Sequence, residues 1–128
     1  MLTDKIHEKM LPVEIKMFIE SGNQNQWLTI GDMEVYVRSS HRLSPKHRAK
    51  HGVLIRCFDI ANVACRHKGC GTFTEFIKSL GNLNEHGFQA IYVEQVLSNR
   101  FAEYFRHLGW IETNQCGAIP SFFYFLDS

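Results

Sequence analysis

The chain has 128 residues, 45% of them hydrophobic and 21% charged, with 14 Lys plus Arg against 13 Asp plus Glu for a net charge of +1. That balance excludes a uniform polycation, and the length suits one globular domain, 1–128, with a real core rather than two full-sized domains. No run approaches the roughly 18 apolar residues of a membrane span, and Met1 to Lys5 lacks the basic-then-apolar profile of a signal peptide, so no membrane partner and no secretion are expected.

The first 22 residues read as helical. Thr3 or Asp4 can cap a first helix, Pro12 suits the first turn of a second, and Gly22-Asn23 can end it. Ile6, Met10, Val13 and Met17 recur at the spacing that lines one helical face. From Trp27 the period changes to two. After a Gly31-Asp32 turn, Met33, Val35 and Val37 alternate with Glu34, Tyr36 and Arg38, as in a half-buried strand. Between His41 and His51 then lie Arg42, Lys46, Arg48 and Lys50 with no acid among them. Without these four, 10 basic residues face 13 acidic ones, so the basic character concentrates in this connector. It reads either as a solvated loop or as a docking surface for an anionic ligand or nucleic acid.

Val53 to Cys65, VLIRCFDIANVAC, is long, mostly apolar and rich in β-branched residues, which predicts a central strand buried on both faces. Phe73, Phe76, Ile77 and Leu80 define an amphipathic helix, with Thr72 and Glu75 at capping-box spacing and Gly81 or Gly87 to end it. Phe88 to Val93 reads as another strand. Ser98 can cap a further helix whose apolar stripe is Phe101, Tyr104, Phe105 and Leu108, closed by Gly109. Trp110-Ile111 and Ser121 to Leu126 read as final strands joined across Asn114 to Pro120. This order describes a mixed α/β domain. Its aromatic last strand can pair across a dimer if the edge is exposed, so monomer and homodimer both stay open.

Cys57, Cys65, Cys70 and Cys116 are few, and three of them share one 14-residue segment, which fits a reducing, cytoplasmic setting better than a disulfide framework. Cys57, Cys65, His67 and Cys70 do not make a convincing metal site, because two of them fall inside a strand and no CxxC pair exists. The chemically informative segment is Arg66-His67-Lys68-Gly69-Cys70-Gly71-Thr72, between a buried strand and an amphipathic helix. Glycines there let the backbone approach a ligand, and exposed N–H groups with Arg66 and Lys68 suit a phosphate or pyrophosphate. The GxxxxGK[ST] and GxGxxG spacings are both absent, and an ordinary tight turn remains the alternative.

Arg66-x-x-Gly69-x-Gly71 after a long strand resembles the acyl-coenzyme A signature of the GNAT superfamily of N-acetyltransferases. About 30 residues on, Asn99-x-x-Ala102 with Leu108-Gly109-Trp110 resembles that superfamily's second motif. The two flank the strand Ala90 to Gln95 and together span Val53 to Trp110, almost half the chain. The resemblance implies a GNAT-like fold: a central mixed sheet with splayed strands, helices on both faces, and acetyl-CoA lying in the gap. It implies that Asn62, Val63 and Cys65 lie along the pantetheine arm, that N–H groups from Arg66, His67, Lys68, Gly69, Cys70, Gly71 and Thr72 hold the pyrophosphate, and that Asn99 contacts the cofactor.

The implied reaction is direct attack of an amine on the thioester, with a general base near the splay and an acid for the thiolate. Glu94 is the first candidate base and Asp59 the second. The superfamily commonly places a Tyr four residues before the helix-terminal Gly; here Phe105 stands there and Tyr104 beside it, so Tyr104 is the candidate acid and also a stripe residue. The run Tyr92 to Phe101 is similar to small GNAT-like proteins of tailed bacteriophages. That similarity supports a second function class: a non-catalytic binder of a host factor in the host cytoplasm, or a nucleic-acid modifier docked through residues 41–51. The amine acceptor, small molecule or protein, carries no readable motif.

Overall fold

The computed structural model describes residues 11–45, 54–65, 71–94, 96, 99–113 and 119–126. Its elements run α1 (Val13–Ser21), β1 (Asn25–Ile30), β2 (Met33–Leu43), β3 (Leu54–Cys65), α2 (Thr72–Lys78), a 3-10 turn (Gly81–His86), β4 (Ala90–Val93), α3 (Asn99–His107), β5 (Ile111–Thr113) and β6 (Ser121–Phe125). The six strands form one mixed sheet in the order β1-β2-β3-β4-β6-β5. Neighbours are antiparallel except β3 and β4, which run parallel. A parallel step needs a crossover, and α2 with the 3-10 turn supplies it.

Strand alternation divides the buried side chains between two faces. On one face Val35, Val37, Phe58, Ile60, Ile91, Val93 and Phe122 join Ile15 and Phe18 of α1, Phe73, Phe76 and Ile77 of α2, and Ala102 and Phe105 of α3. All three described α-helices therefore pack over this face. The second face carries Ile55, Cys57, Ala90, Tyr92 and Phe123, with fully buried Asp59 on the same side of β3. The helical cover expected there has no counterpart among the described residues.

Several local expectations shift in register. In α1 the buried residues are Ile15 and Phe18, while Val13 and Met17, assigned by spacing to the apolar face, are 61% and 62% exposed. Apolar residues at 13 and 17 mark one helical face and those at 15, 18 and 19 another, and the second is the one that packs, with Phe18 edge-to-face on Phe58. Ile6, Met10 and the caps Thr3, Asp4 and Ser98 lie outside the described residues. The capping box of Thr72 and Glu75 does not form: Gly71 occupies the N-cap with φ +80°, and the Thr72 hydroxyl donates to Asp32 Oδ1 at 2.9 Å. Thr72 sits one position too far into the helix for the reciprocal bonds. The sheet also corrects the dimer edge. β6 lies between β4 and β5, paired with β4 from Phe122 to Phe125 and with β5 from Ser121 to Phe123, so it is an interior strand rather than the sheet edge.

α3 closes as Gly109 predicts. Gly109, at φ +82°, donates to Arg106 O at 3.0 Å and Trp110 N–H donates to Phe105 O at 3.1 Å, the paired bonds of a Schellman end. The accompanying apolar contact is Phe105 on Trp110, with ring centroids 4.7 Å apart. Phe105 is fully buried and also meets Phe73 and Phe122 at 6.1 and 5.3 Å, so it ties α2, α3 and β6 together. Phe105→Ala is expected to cost about 3–5 kcal/mol, read as a lowered urea midpoint with an unchanged slope. A loss below about 1 kcal/mol, the scale of surface substitutions and small swaps, would refute this keystone role.

Candidate functional site

β3 pairs with β2 along its whole length, from Leu54 opposite Leu43 to Cys65 opposite Met33. With β4 it pairs only from Cys57–Ala90 to Ile60–Val93, and Glu94 N–H to Ile60 O, at 3.0 Å, follows that ladder. Beyond it the chain after β4 turns to the other neighbour, where Val96 N–H donates to Pro120 O at 2.7 Å. The two strands thus part after Ile60, leaving Asn62 to Cys65 without a β4 partner.

A bulge determines what faces the gap. Arg56 and Ile60 accept backbone bonds from Gln89 and Glu94, so even-numbered residues of this stretch turn their backbone groups toward β4. Between Ile60, opposite Val37, and Asn62, opposite Tyr36, Ala61 is the extra residue. One inserted residue reverses the alternation. Past it Asn62 turns its backbone toward β2, and the polar groups of Val63 face the side that β4 has left. The Val63 side chain packs at the margin of the core, and Asn62 is exposed.

On the second face at the apex stands a cluster of four charges. Asp59, fully buried, accepts from Ser40 Oγ at 2.8 Å, from Arg38 Nε at 3.3 Å, and from Arg42 Nη2 and Nε at 2.8 and 3.4 Å. The Arg42 guanidinium carbon lies over the Tyr92 ring, 3.9 Å from its centroid. Burial works against its charge, but the hydrogen bond to Asp59 and that carboxylate's charge outweigh it, so the Arg42 pKa is raised. Glu94 completes the group: Arg38 Nη2 bonds its Oε1, and Arg42 Nη2 lies 3.7 Å from the same oxygen.

Of the residues singled out by sequence, the structure brings Glu94, Asn62 and Val63 to the parting of β3 and β4. Cys65 ends β3 and Asn99 begins α3. Gly71 and Thr72 open α2, tethered to the β1–β2 turn through Asp32. Arg66, His67, Lys68, Gly69 and Cys70 lie outside the described residues, as does the stretch 46–51 of the basic connector. Tyr104 is half-buried on the helical face with its ring 5.5 Å from that of Phe105, across the sheet from Glu94. Two readings change. Asp59 is no base for an incoming amine, because its oxygens are buried under three side chains. Arg42 belongs to β2 and spends its charge on Asp59, so it leaves the connector's basic surface. Arg38, Ser40 and Tyr92 were given no site role from sequence, and Arg42 was read only as part of the basic connector; the available signal was polar residues at 38, 40 and 42, one strand face, beside an acid inside an apolar strand.

No protein-family model matches the sequence, and no curated protein does. Solved structures are similar in fold. A mutant of the toxin AtaT bound to the C-terminus of the antitoxin AtaR and acetyl-CoA superposes with TM-score 0.53 at 14% identity, over 73% of this chain and 57% of that one. AtaT complexed with acetyl-methionyl-tRNAfMet gives 0.52 at 15% identity, over 72% and 61%. The KacTA–DNA complex gives 0.51 at 14% identity, over 89% and 80%. The chain spans less than two thirds of the AtaT chains. The architecture is thus the GNAT acetyltransferase fold.

Cys57 lies under the same cluster. Burial, and then the Asp59 charge, push its thiol up to about 12 against a smaller opposing effect of Arg42. An unfolded thiol ionises at about 8.5, so between about pH 9 and pH 12 the unfolded chain loses a proton that the folded chain keeps, and Cys57's contribution to stability falls as pH rises. Native Cys57 is expected to resist iodoacetamide at about pH 8.5 and to react once urea unfolds the chain. Rapid native labelling of the Cys57 peptide, read by mass spectrometry, would contradict this.

Proposed function

We propose that the chain is an acetyl-CoA-dependent N-acetyltransferase that moves an acetyl group to an amine of a small molecule or protein by direct attack. The observation that carries this reading is the parting of β3 and β4 just ahead of the glycine-rich turn, within a GNAT acetyltransferase fold. The donor set fits the cofactor. Val63 presents backbone polar groups to the gap, where a pantetheine arm needs amide partners, with Asn62 and Cys65 beside it. In the sequence from Arg66 to Thr72, of which Gly71 and Thr72 are among the described residues, the glycines and the two cations Arg66 and Lys68 suit a pyrophosphate. Thr72 contributes its N–H alone, since its hydroxyl is committed to Asp32. Asn99 would contact the cofactor from the start of α3.

Bound there, acetyl-CoA supplies an activated acyl carbon and a thiolate leaving group. Glu94 takes the proton from the amine nitrogen as it bonds to the carbonyl carbon. Tyr104 is the candidate proton source for the coenzyme A thiolate that would leave as the amide forms, and from the helical face it would have to reach the sulfur through the opening between β3 and β4. Glu94 is 29% exposed at the apex, within reach of solvent-borne substrate. No described helix is long and apolar enough to cross a membrane. We read the chain as one domain working in the cytoplasm, with monomer and homodimer both compatible.

A second reading, a GNAT-like protein that binds without turnover or acts on nucleic acid, is favoured by Tyr104. Its hydroxyl is buried on the core-facing side of α3, a packing position as much as a catalytic one. Structural neighbours in complex with an antitoxin, tRNA and DNA support partners of these kinds. The link to phage-encoded proteins rests on Tyr92 to Phe101 alone.

Calorimetry with acetyl-CoA, followed by thiol release over an amine panel, separates the readings. Binding with turnover is expected; no binding at millimolar ligand rejects the cofactor, and binding without turnover on any amine favours the second reading. Glu94→Gln is expected to lower the acetylation rate by about 10²–10⁴, and a wild-type rate would remove Glu94 as base. In the second reading, salt-dependent RNA or DNA binding by the intact chain is the outcome to look for.

A further inference from the structure

The four-charge cluster reaches further than packing. Arg38, Asp59 and Tyr92 form one row across β2, β3 and β4, and Glu94 lies two residues beyond Tyr92 on the same side. Each guanidinium bridges the two acids: Arg38 touches Asp59 through Nε and Glu94 through Nη2, while Arg42 bonds Asp59 and approaches Glu94 through Nη2. Asp59 is sealed from water, and both arginines are fixed at their inner ends, Arg42 additionally by the Tyr92 ring. Nη2 of Arg38 and Nη2 of Arg42 both face one oxygen, Oε1 of Glu94. Among the described residues, Oε2 has no hydrogen-bond partner.

We propose that Arg38 and Arg42 are positioning residues for acetyl transfer: anchored on buried Asp59, they grip Glu94 by Oε1 at the parting of β3 and β4 and leave Oε2 to receive the amine proton. This rests on the N-acetyltransferase reading above. A strand-end glutamate left to itself visits several rotamers. Fixing it before substrate arrives removes that ordering from the barrier and sets the geometry of attack. Arg38 holds the carboxylate by a hydrogen bond, and Arg42, 3.7 Å from the same oxygen, adds a second positive charge on that side. A purely structural ion cluster would be replaceable by apolar side chains, whereas this one ends on the partly exposed carboxylate beside the gap.

The test compares wild type, Arg38→Gln, Glu94→Gln and the double variant by thiol release from acetyl-CoA with an amine panel, with acetyl-CoA affinity measured alongside. Arg38→Gln is expected to lower kcat about 10- to 100-fold, the cost of a displaced catalytic group, while acetyl-CoA affinity stays within about twofold, because pantetheine and pyrophosphate contacts are untouched. In the Glu94→Gln background the same substitution should cost nothing more, since Arg38 acts only through Glu94. Turnover by Arg38→Gln at the wild-type rate, or a further loss on top of Glu94→Gln, would overturn the positioning role alone. A wild type silent with every amine overturns the N-acetyltransferase reading and the role with it. If Arg38→Gln fails to fold, the Nε–H resonances of Arg38 and Arg42 in ¹⁵N-labelled wild type and Glu94→Gln decide. Both are expected to move when the Glu94 charge is removed, and unmoved signals overturn the grip.

Discussion

The structure turns on an unequal partnership of one strand. β3 is twelve residues long and pairs with β2 throughout, yet β4 accompanies it for only four positions. A strand edge without a partner leaves backbone donors and acceptors unsatisfied, which a fold ordinarily avoids. Here the bulge at Ala61 turns the Val63 polar groups into the opened side, and the chain after β4 finds its next backbone bond at Pro120 instead. The same parting brings the opened side of β3 at Val63 and the Glu94 carboxylate together.

Charge placement follows from this geometry. Asp59 lies in the part of β3 that is flanked on both sides, so it is fully buried and needs partners. β2 supplies them from one face at two-residue intervals, Arg38, Ser40 and Arg42. Two cations around one buried acid would leave excess positive charge, and Glu94 neutralises it where the sheet opens. The cluster as a whole carries no net charge, which is why the chain's near-zero total conceals a concentrated electrostatic structure.

Much of the architecture was legible from residue patterns. The long apolar run ending at Cys65, which forms β3 but is buried on both faces only from Cys57 to Ile60, the stripe Phe73, Phe76, Ile77 and Leu80, and the Gly109 end of α3 all carry strong local signals, because strands, amphipathic helices and left-handed C-caps impose them directly on sequence. The glycine-rich turn and the Asn99 to Trp110 motif likewise pointed to the GNAT fold before any tertiary information. Less was legible where two local solutions are equivalent. Residues 13–19 offer two apolar faces, and only the ring of Phe58 distinguishes them. Thr72 and Glu75 have capping-box spacing, but the helix starts one residue off and Asp32 captures the hydroxyl.

The sequence by itself determined the α/β class, the succession of elements and the position of Glu94 at the end of β4, since these depend on local periodicity and on motifs with short spacing. Only the tertiary structure decided what Glu94 touches, that Asp59 is an anchor rather than a base, and that the aromatic strand β6 is interior rather than an edge. Those outcomes depend on pairing between residues such as Arg38 and Glu94, 56 positions apart, and on a one-residue bulge. Pairing register has no local signature in either strand, and it exists only once β2, β3 and β4 lie side by side.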